Sequence, residues 1–364
     1  MTYPRQPGVY FTETVSTIAA DTVQERIPLF LLQTSTAIAD LDGVYTYYTG
    51  IDAFKEAVAE KGLTNTVTHI EKALIEYNCT NFYVYSIKTD TAAGFKDAVK
   101  NSSNLQDVRY IDYYEETKST TANTITAKIA AIKEGVIDNA KNGVFRKAYI
   151  TPYGTINDAV TTAENTTPTA AAIAAYTTIL SSTGSGRICP IFPDGNDGVV
   201  VGKCWATQYD EDPGFLPVES EVVTTDFNFD ANQIVTLQNL GVMFLVPDTS
   251  SELTRYYINL GVTSSFKDNA ADGLFVSRSI ADEVLDEIGN VARAFVKAKE
   301  VESNVKQLNT EIGNVIDAYA TAESIIKADT VITATDVGNN VFEVNGKIKP
   351  VGCVIAIEVN TTLQ

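Results

Sequence analysis

The sequence predicts an α/β protein with a mixed-sheet core domain, extended strand arms at the N- and C-termini, and an inserted α/β subdomain. Helical and strand patterns alternate along the chain, which favours helices packed on a largely parallel sheet. Strand-forming runs lie at both ends of the sequence, where they can pair outside the main sheet. The 364 residues exceed the length over which one hydrophobic core usually grows, so we expect two subdomains or one domain with a large insertion.

The first part of the chain begins with a run that favours a strand. Residues 7–15 include a Pro-Gly turn signal followed by aromatic and β-branched residues. A small and polar stretch over 16–24 separates this run from a second strand over 27–32, so the first strand can act as an arm. The elements predicted next are helices over 52–61 and 66–77 and a strand over 81–87.

The same alternation continues to the C-terminus. Helices are predicted over 92–100, 122–139, 169–180 and 231–240, and strands over 108–113, 147–151, 188–192 and 242–246. Two long amphipathic patterns follow over 279–299 and 304–326, and in the second the apolar residues recur three and four apart along one helical face. The last run, 341–359, contains Asn345-Gly346 between extended segments, which predicts a hairpin turn there.

Charge and composition narrow the function classes. Apolar residues make up 45% of the chain, which is enough to bury a core. The 27 Lys and Arg against 46 Asp and Glu give a net charge of −19, which disfavours nucleic acid and anionic membrane surfaces as partners. The first residues lack the apolar core of a signal peptide, and no stretch approaches the roughly 18 apolar residues of a membrane span, so we expect folding in a cytoplasm.

Residues that carry catalysis or bind metals are scarce. The one histidine, His69, lies beside the apolar stripe of a predicted helix and is interpreted as structural, because no nucleophile motif or ligand spacing accompanies it. The four cysteines lie far apart and are predicted to be buried thiols. Segment 184–187 lacks the full phosphate-loop pattern and segment 194–198 lacks the full calcium-loop pattern, so both are predicted to be turns. The acidic runs 115–116 and 210–212 are expected in solvated turns. We therefore expect no catalytic residue, no metal site and no cofactor.

Several short motifs occur in a characteristic order. Pro7-Gly8-Val9-Tyr10 is followed by the acidic Glu13. The run 27–32 then follows as a strand, 51–55 as a helix, and 76–85 as the end of a second helix and the strand after it. The ending 344–351 reads Val-Asn-Gly-Lys-Ile-Lys-Pro-Val. In these motifs the chain resembles the tail sheath proteins of contractile phage tails and of related contractile injection particles such as R-type bacteriocins. The resemblance covers residues 1–88 and 341–364, extends over 250–340 in element order only, and departs where Cys79 and Thr80 replace two usual glycines.

The resemblance implies a division of the chain and two sets of assembly residues. The domains would be an N-terminal arm (1–24), a sheath core (25–88 and 250–340), an inserted outer subdomain (89–249) and a C-terminal strand arm (341–364). Sheath arms add strands to the sheets of neighbouring subunits. The strand-forming arm residues here are Val9, Tyr10, Phe11, Ile348, Val351, Ile355 and Ile357. A helix of the C-terminal region would contact the inner tube, through the candidates Arg293, Lys297, Lys299 and Lys306.

The implied function is structural. Such a subunit polymerises helically around an inner tube and contracts to drive the tube through a target cell envelope. The implied partners are further copies of the chain, the tail tube protein, and the baseplate and tail terminator proteins, with no nucleic acid and no direct membrane insertion. Assembly would take place in the cytoplasm of a bacterial host and end in a virion tail or a released contractile particle. Two alternatives stay open: another self-assembling surface or fibre protein, expected to carry a signal peptide, and a soluble enzyme using carboxylates alone, which an activity screen with added metal would detect.

Overall fold

A computed structural model provides the fold of part of the chain. The residues that it describes are 26–34, 38, 41–87, 92–105, 107–116, 122–151, 184–192, 195–218, 223, 229–248, 255–268, 270–296, 302–322, 325–338 and 341–351. The predicted N-terminal arm, the predicted helix over 169–180 and the chain beyond 351 lie outside these residues.

A six-stranded sheet of order β2-β3-β1-β4-β5-β6 forms the centre of the described structure. Its strands are β1 (Ile27–Gln33), β2 (Thr46–Tyr48), β3 (Phe82–Ser86), β4 (Val108–Glu115), β5 (Lys147–Ile150) and β6 (Ile188–Pro190). All of them run parallel except β2, which pairs antiparallel with β3 at one edge. The predicted α/β fold with a mixed sheet is confirmed.

Helices cover both faces of this sheet. They are α1 (Ile51–Val58), α2 (Thr64–Tyr77), α3 (Ala92–Asn101), α4 (Ala122–Lys141), α5 (Asp197–Ala206) and α6 (Ala231–Asn239). Phe30 and Leu32 of β1 enter a first core cluster that includes residues of α2 and α5, whereas Leu29 and Leu31 enter a second cluster that includes residues of α3 and α4. Strand β1 is therefore buried on both faces, which explains its nearly continuous apolar sequence.

Helix α5 was not predicted, because its first residues carry glycines typical of a turn. In the structure Gly198 and Gly202 are helical and face α2. A Cβ atom at Gly198 would lie 2.4 Å from the carbonyl oxygen of His69, and one at Gly202 would lie 2.3 Å from that of Ala73. These glycines therefore permit the close approach of two helices.

The C-terminal part forms a third core cluster of its own. Helices α7 (Phe275–Arg293) and α8 (Glu302–Asp317) pack there with a hairpin of β9 (Val331–Asp336) and β10 (Phe342–Lys347). A second hairpin, β7 (Leu245–Asp248) with β8 (Arg255–Ile258), precedes them. We call α7, α8, β9 and β10 the C-terminal module.

The hairpin turn predicted at Asn345-Gly346 is wrong. Both residues lie within β10, opposite Thr333 and Ile332 of β9, and the turn is formed around Gly338, whose φ is 76°. Gly346 is required for another reason, since a Cβ there would lie 2.3 Å from the carbonyl oxygen of Val331.

The expected boundary at residue 88 does not coincide with a boundary of the sheet. Strand β1, on its N-terminal side, pairs directly with β4 over seven residue pairs. The region 89–249 therefore completes the central sheet, and its placement on the outside of an assembly stays a prediction. One residue of each acidic run also differs from expectation, whereas the exposed Asp210 lies in a turn as predicted. Glu115 is buried in β4 beside Lys128 at 2.8 Å, and Asp212 is bonded to backbone amides rather than solvated.

Candidate assembly surfaces

The predicted arm residues fall mostly outside the described chain, where Val9, Tyr10, Phe11, Ile355 and Ile357 stay predictions. The two that are described are held by their own chain. Ile348 is 4% exposed and lies in the third cluster. Val351 donates its backbone N–H to the carbonyl of Ile325 at 2.8 Å. This burial argues against Ile348 as an arm residue, because a side chain in its own core cannot also pack on a neighbour.

The hairpin β9–β10 has two edges, and one of them is blocked by a side chain. The side-chain amide of Asn309 in α8 donates to the carbonyl of Ala334 at 2.8 Å and accepts from the N–H of Ala334 at 2.7 Å. The amide therefore occupies the backbone groups that a strand added beside β9 would need. Among the described residues no further strand pairs with the outer edge of β10.

The first described residue, Arg26, lies directly before β1 and is held by several contacts. Its guanidinium pairs with Glu283 of α7 at 2.8 Å, and its carbonyl accepts a hydrogen bond from the Tyr77 hydroxyl at 2.7 Å. The next residue, Ile27, donates its N–H to the Asp107 carbonyl at 3.1 Å. Arg26 and Ile27 are thus tied to both the central sheet and the C-terminal module.

The amino ends of the parallel strands carry a set of basic side chains that face α7. Arg109 in β4 bonds Asp286, and Arg187 before β6 lies 2.9 Å from Asp282. With Arg26 and Glu283, three ion pairs therefore join the sheet to one acidic face of α7. Arg278 of the same helix also reaches Asp282, at 2.5 Å. The pairs are partly or fully buried, so each acid is needed to compensate its cation.

Lys147, the first residue of β5, is the most buried amine of this region. It donates to the Ser279 hydroxyl of α7 and lies 3.9 Å from the centre of the Phe275 ring. Burial lowers the pKa of Lys147 to about 8, although Asp282 opposes the shift. Burial alone would raise the pKa of Asp282, but Arg187, Arg278 and Lys147 hold it below its usual range. A cavity of about 30 Å³ adjoins these groups, which is room for about one water molecule.

The candidate tube-contact residues are only partly described. Arg293, in the last turn of α7, is exposed and donates to Asn290. Lys306 is exposed in α8 and pairs with Glu302 one turn earlier at 2.6 Å. Lys297 and Lys299 lie outside the described residues. The two described candidates therefore lie on different helices, near the end of α7 and the start of α8.

His69 is a buried structural residue, as the sequence indicated. Its Nε2 lies 2.5 Å from Asp112 of β4, and its Nδ1 lies 3.2 Å from Asp197 at the start of α5. Burial lowers the pKa of His69, but the two carboxylates outweigh that effect and raise it to about 10. The imidazolium thus ties α2 to the sheet and to α5.

Cys189 and Cys204 are buried and form no disulfide within the described chain, as predicted, whereas Cys79 is only half-buried.

Neither a metal-binding cluster nor a membrane-spanning helix is present in the part of the chain that the structure describes. No group of three His, Cys, Asp or Glu side chains there is arranged to hold a metal ion. None of the described helices combines the length and the apolar character that crossing a membrane requires. The predicted turn over 184–187 is confirmed, with the Gly186 N–H donating to Asp272 at 3.0 Å.

Sequence reasoning missed the ion pairs between the sheet and α7. The sequence did indicate the basic half of these pairs. Four basic residues lie immediately before predicted strands or within their first two positions: Arg26, Arg109, Lys147 and Arg187. Because the amino ends of parallel strands meet at one edge of a sheet, these residues are expected to cluster there. Their partners are acids at positions 282, 283 and 286 of a predicted helix.

Comparison with known proteins identifies the fold. No protein-family model matches the sequence, and no curated protein matches it. A chain of the anti-feeding prophage (AFP) helical sheath in its contracted state superimposes with a TM-score of 0.64 at 12% identity, covering 99% of both chains. The fold is that of a contractile sheath protein.

Two further structures from contractile particles superimpose on this chain to a similar extent. A chain of the extracellular contractile injection system PVC sheath complex, in the contracted state, gives a TM-score of 0.65 at 12% identity and covers 100% of this chain and 98% of its own. A chain of the AFP baseplate in the contracted state gives 0.65 at 11% identity and covers 99% of both. All three superpositions therefore cover 99–100% of this chain.

Proposed function

We propose that this chain is the structural subunit of a contractile sheath, which polymerises helically around an inner tube and contracts to drive the tube through a target cell envelope. The observation that carries the proposal is the likeness to sheath structures over 99–100% of this chain. The role is structural, with no reaction and no cofactor. Its energy would come from interfaces formed during assembly, which relax from an extended to a compact lattice.

Strand exchange would hold the polymer together. The N-terminal arm leaves the body at Arg26 and the C-terminal arm after Val351. We assign the outer edge of β10 as an acceptor for such an arm, since Asn309 blocks the edge of β9. Backbone hydrogen bonds would then tie neighbouring subunits together while their bodies rotate.

The inner surface would lie at the C-terminal end of α7. Arg293, Lys297, Lys299 and Lys306 are the proposed contacts with an acidic tube, and exposed contacts of this kind are individually weak and sensitive to salt. Reversing Lys297 and Lys299 to Glu should weaken sheath growth around tubes and leave the melting temperature nearly unchanged. The matched control is Lys61→Glu with Lys100→Glu, two exposed lysines on other parts of the chain. Equal tube-templated growth by both double variants would exclude this contact.

The remaining partners follow from the same role. The polymer would start on a baseplate protein and end at a tail terminator protein. It would assemble in the cytoplasm of a bacterial host and leave it as a virion tail or a released contractile particle.

Negative-stain electron microscopy of the purified protein, alone and with its tube protein, tests the proposal. Striated tubes or short, wide cylinders are the expected result. A protein that remains monomeric at high concentration and with tubes present would contradict it.

A further inference from the structure

Two large apolar side chains protrude from a loop that the proposed function does not use. Phe215 is 71% exposed and its neighbour Leu216 is 53% exposed, in the segment 212–218 that follows α5. Apolar residues scattered singly over a surface are ordinary, whereas adjacent ones on one protrusion are typical of interaction sites. We call residues 210–216 the apolar tip, and it includes the acids Asp210 and Glu211.

The apolar tip is held in one conformation by its base. The Asp212 carboxylate accepts hydrogen bonds from the backbone N–H of Gly214 at 2.7 Å and of Gly261 at 3.0 Å. Beyond the tip, Val218 donates its N–H to the Tyr256 carbonyl at 2.9 Å. A Cβ atom on Gly261 would lie 2.5 Å from Pro213, so the loop also lies tightly against its support. A loop fixed in this way loses little conformational entropy when it binds a partner.

A surface of complementary character lies on the C-terminal module of the same chain. Val331 is 62% exposed and pairs in register with the exposed Lys347. The exposed Lys327 and Val351 lie just beyond the end of this ladder, beside an isolated antiparallel bridge between Ile326 and Pro350. There the Lys327 N–H donates to the Lys349 carbonyl, and the Val351 N–H donates to that of Ile325. We call Lys327, Val331, Lys347 and Val351 the lysine–valine surface. The same surface carries Lys349 and the exposed Asp329, which pair with each other, so Lys327 and Lys347 leave it positively charged in a chain whose net charge is −19.

We infer that the apolar tip of one copy docks against the lysine–valine surface of another copy in the polymer, an inference that rests on the proposed function. Copies with a large like charge repel each other, so they approach best where opposite charges meet locally. Here Asp210 and Glu211 meet lysines while Phe215 and Leu216 meet valines. The two surfaces are different, so the contact is heterologous and propagates through a helix rather than closing a dimer.

Assembly assays with paired variants test the contact. Phe215→Ser with Leu216→Ser should retain the melting temperature and raise the concentration needed for assembly at least tenfold. Val235→Ser removes a comparably exposed apolar side chain from α6 and should assemble normally. Lys327→Glu with Lys347→Glu should also impair assembly, and adding Asp210→Lys and Glu211→Lys should restore it. Normal assembly of the Phe215/Leu216 variant, or failure of the charge exchange to restore assembly, would overturn the inference.

Photo-cross-linking locates the contact without removing it. A benzoyl-phenylalanine in place of Phe215 should cross-link assembled particles to residues 325–331 or 345–351 of another copy, and give no such product in the dilute monomer. Cross-links to the tube protein, or to another part of the neighbouring copy, would overturn it. If the wild-type protein forms no polymer, the proposed function fails; if it polymerises and the cross-link or variants disagree, only this inference fails.

Discussion

At the scale of single residues, His69 stabilises the first core cluster through charge. Its imidazolium is buried between Asp112 and Asp197, so His69→Gln leaves two carboxylates near each other without a cation. We expect a loss of about 3–5 kcal/mol in the free energy of unfolding near neutral pH. Adding Asp112→Asn to this variant should recover part of the loss, because it removes one of the uncompensated charges.

The pH dependence of this effect has a defined sign. The pKa of His69 is raised from 6.5 to about 10 in the folded protein, so its contribution is fully present below the unfolded value and lost as pH rises through the folded one. The stability difference between wild type and His69→Gln should therefore shrink between about pH 6.5 and about pH 10 in urea titrations. A difference that stays constant over this range would show that the folded protein does not hold the proton.

Asp282 has the corresponding role at the other end of the sheet. It compensates Arg187 and Arg278, and its pKa is held below the usual range despite burial. Asp282→Asn should cost about 3–5 kcal/mol at neutral pH. The advantage of wild type should be present above the ordinary carboxyl pKa of about 4 and disappear as pH falls through the lower folded value. Glu287→Gln, on the same helix, is the control in thermal melts, and equal melting of the two variants would contradict the pairing.

At the scale of elements, Asn309 decides which edge of the C-terminal hairpin can accept a strand. Asn309→Ala removes both hydrogen bonds to Ala334 and should destabilise the protein by about 1–3 kcal/mol. It should also expose the edge of β9, so sedimentation should become more dependent on concentration. Asn314→Ala changes an exposed asparagine of α8 and serves as the control. If the two variants behave alike, the side chain of Asn309 does not block the edge.

The elements also show what the sequence could predict. Hydrophobic periodicity predicted β1, α2, β3 and α4 to within a few residues, because each buries a continuous face or both faces. The predictions at α5 and β10 were wrong because glycines there were interpreted as turn residues. Gly198 and Gly346 both occur where another backbone approaches closely, and a single sequence does not distinguish this requirement from that of a turn.

The charged contacts were predictable only in part. The parallel order of the strands was enough to place Arg26, Arg109 and Arg187 along one edge. Which helix supplies their acids depends on the packing of the C-terminal module, about a hundred residues or more away in the chain, and local pattern carries no information about it. The apolar tip was likewise not predictable from the sequence, because Phe215 and Leu216 are indistinguishable in sequence from core residues.

At the scale of the whole molecule, we expect the predicted N-terminal arm to be separable from the described body. Strand β1 is the third strand of the central sheet and is anchored by Arg26 and Ile27, whose bonds involve Glu283, Tyr77 and Asp107. These anchors lie at the start of the described body. Changes well before residue 26 therefore leave every contact described for β1 in place.

Removal of residues 1–16 should accordingly give a folded monomer that does not assemble. The deletion leaves residues 17–25 ahead of Arg26, so circular dichroism and the melting temperature should match those of the intact chain. Assembly should fail because the strand that would pair with a neighbouring subunit is gone. Tyr10→Pro keeps the length of the arm but interrupts its strand pairing, and should weaken assembly in the same direction. Tubes of normal length from the truncated protein, seen by negative stain, would show that the N-terminal arm does not hold the sheath together.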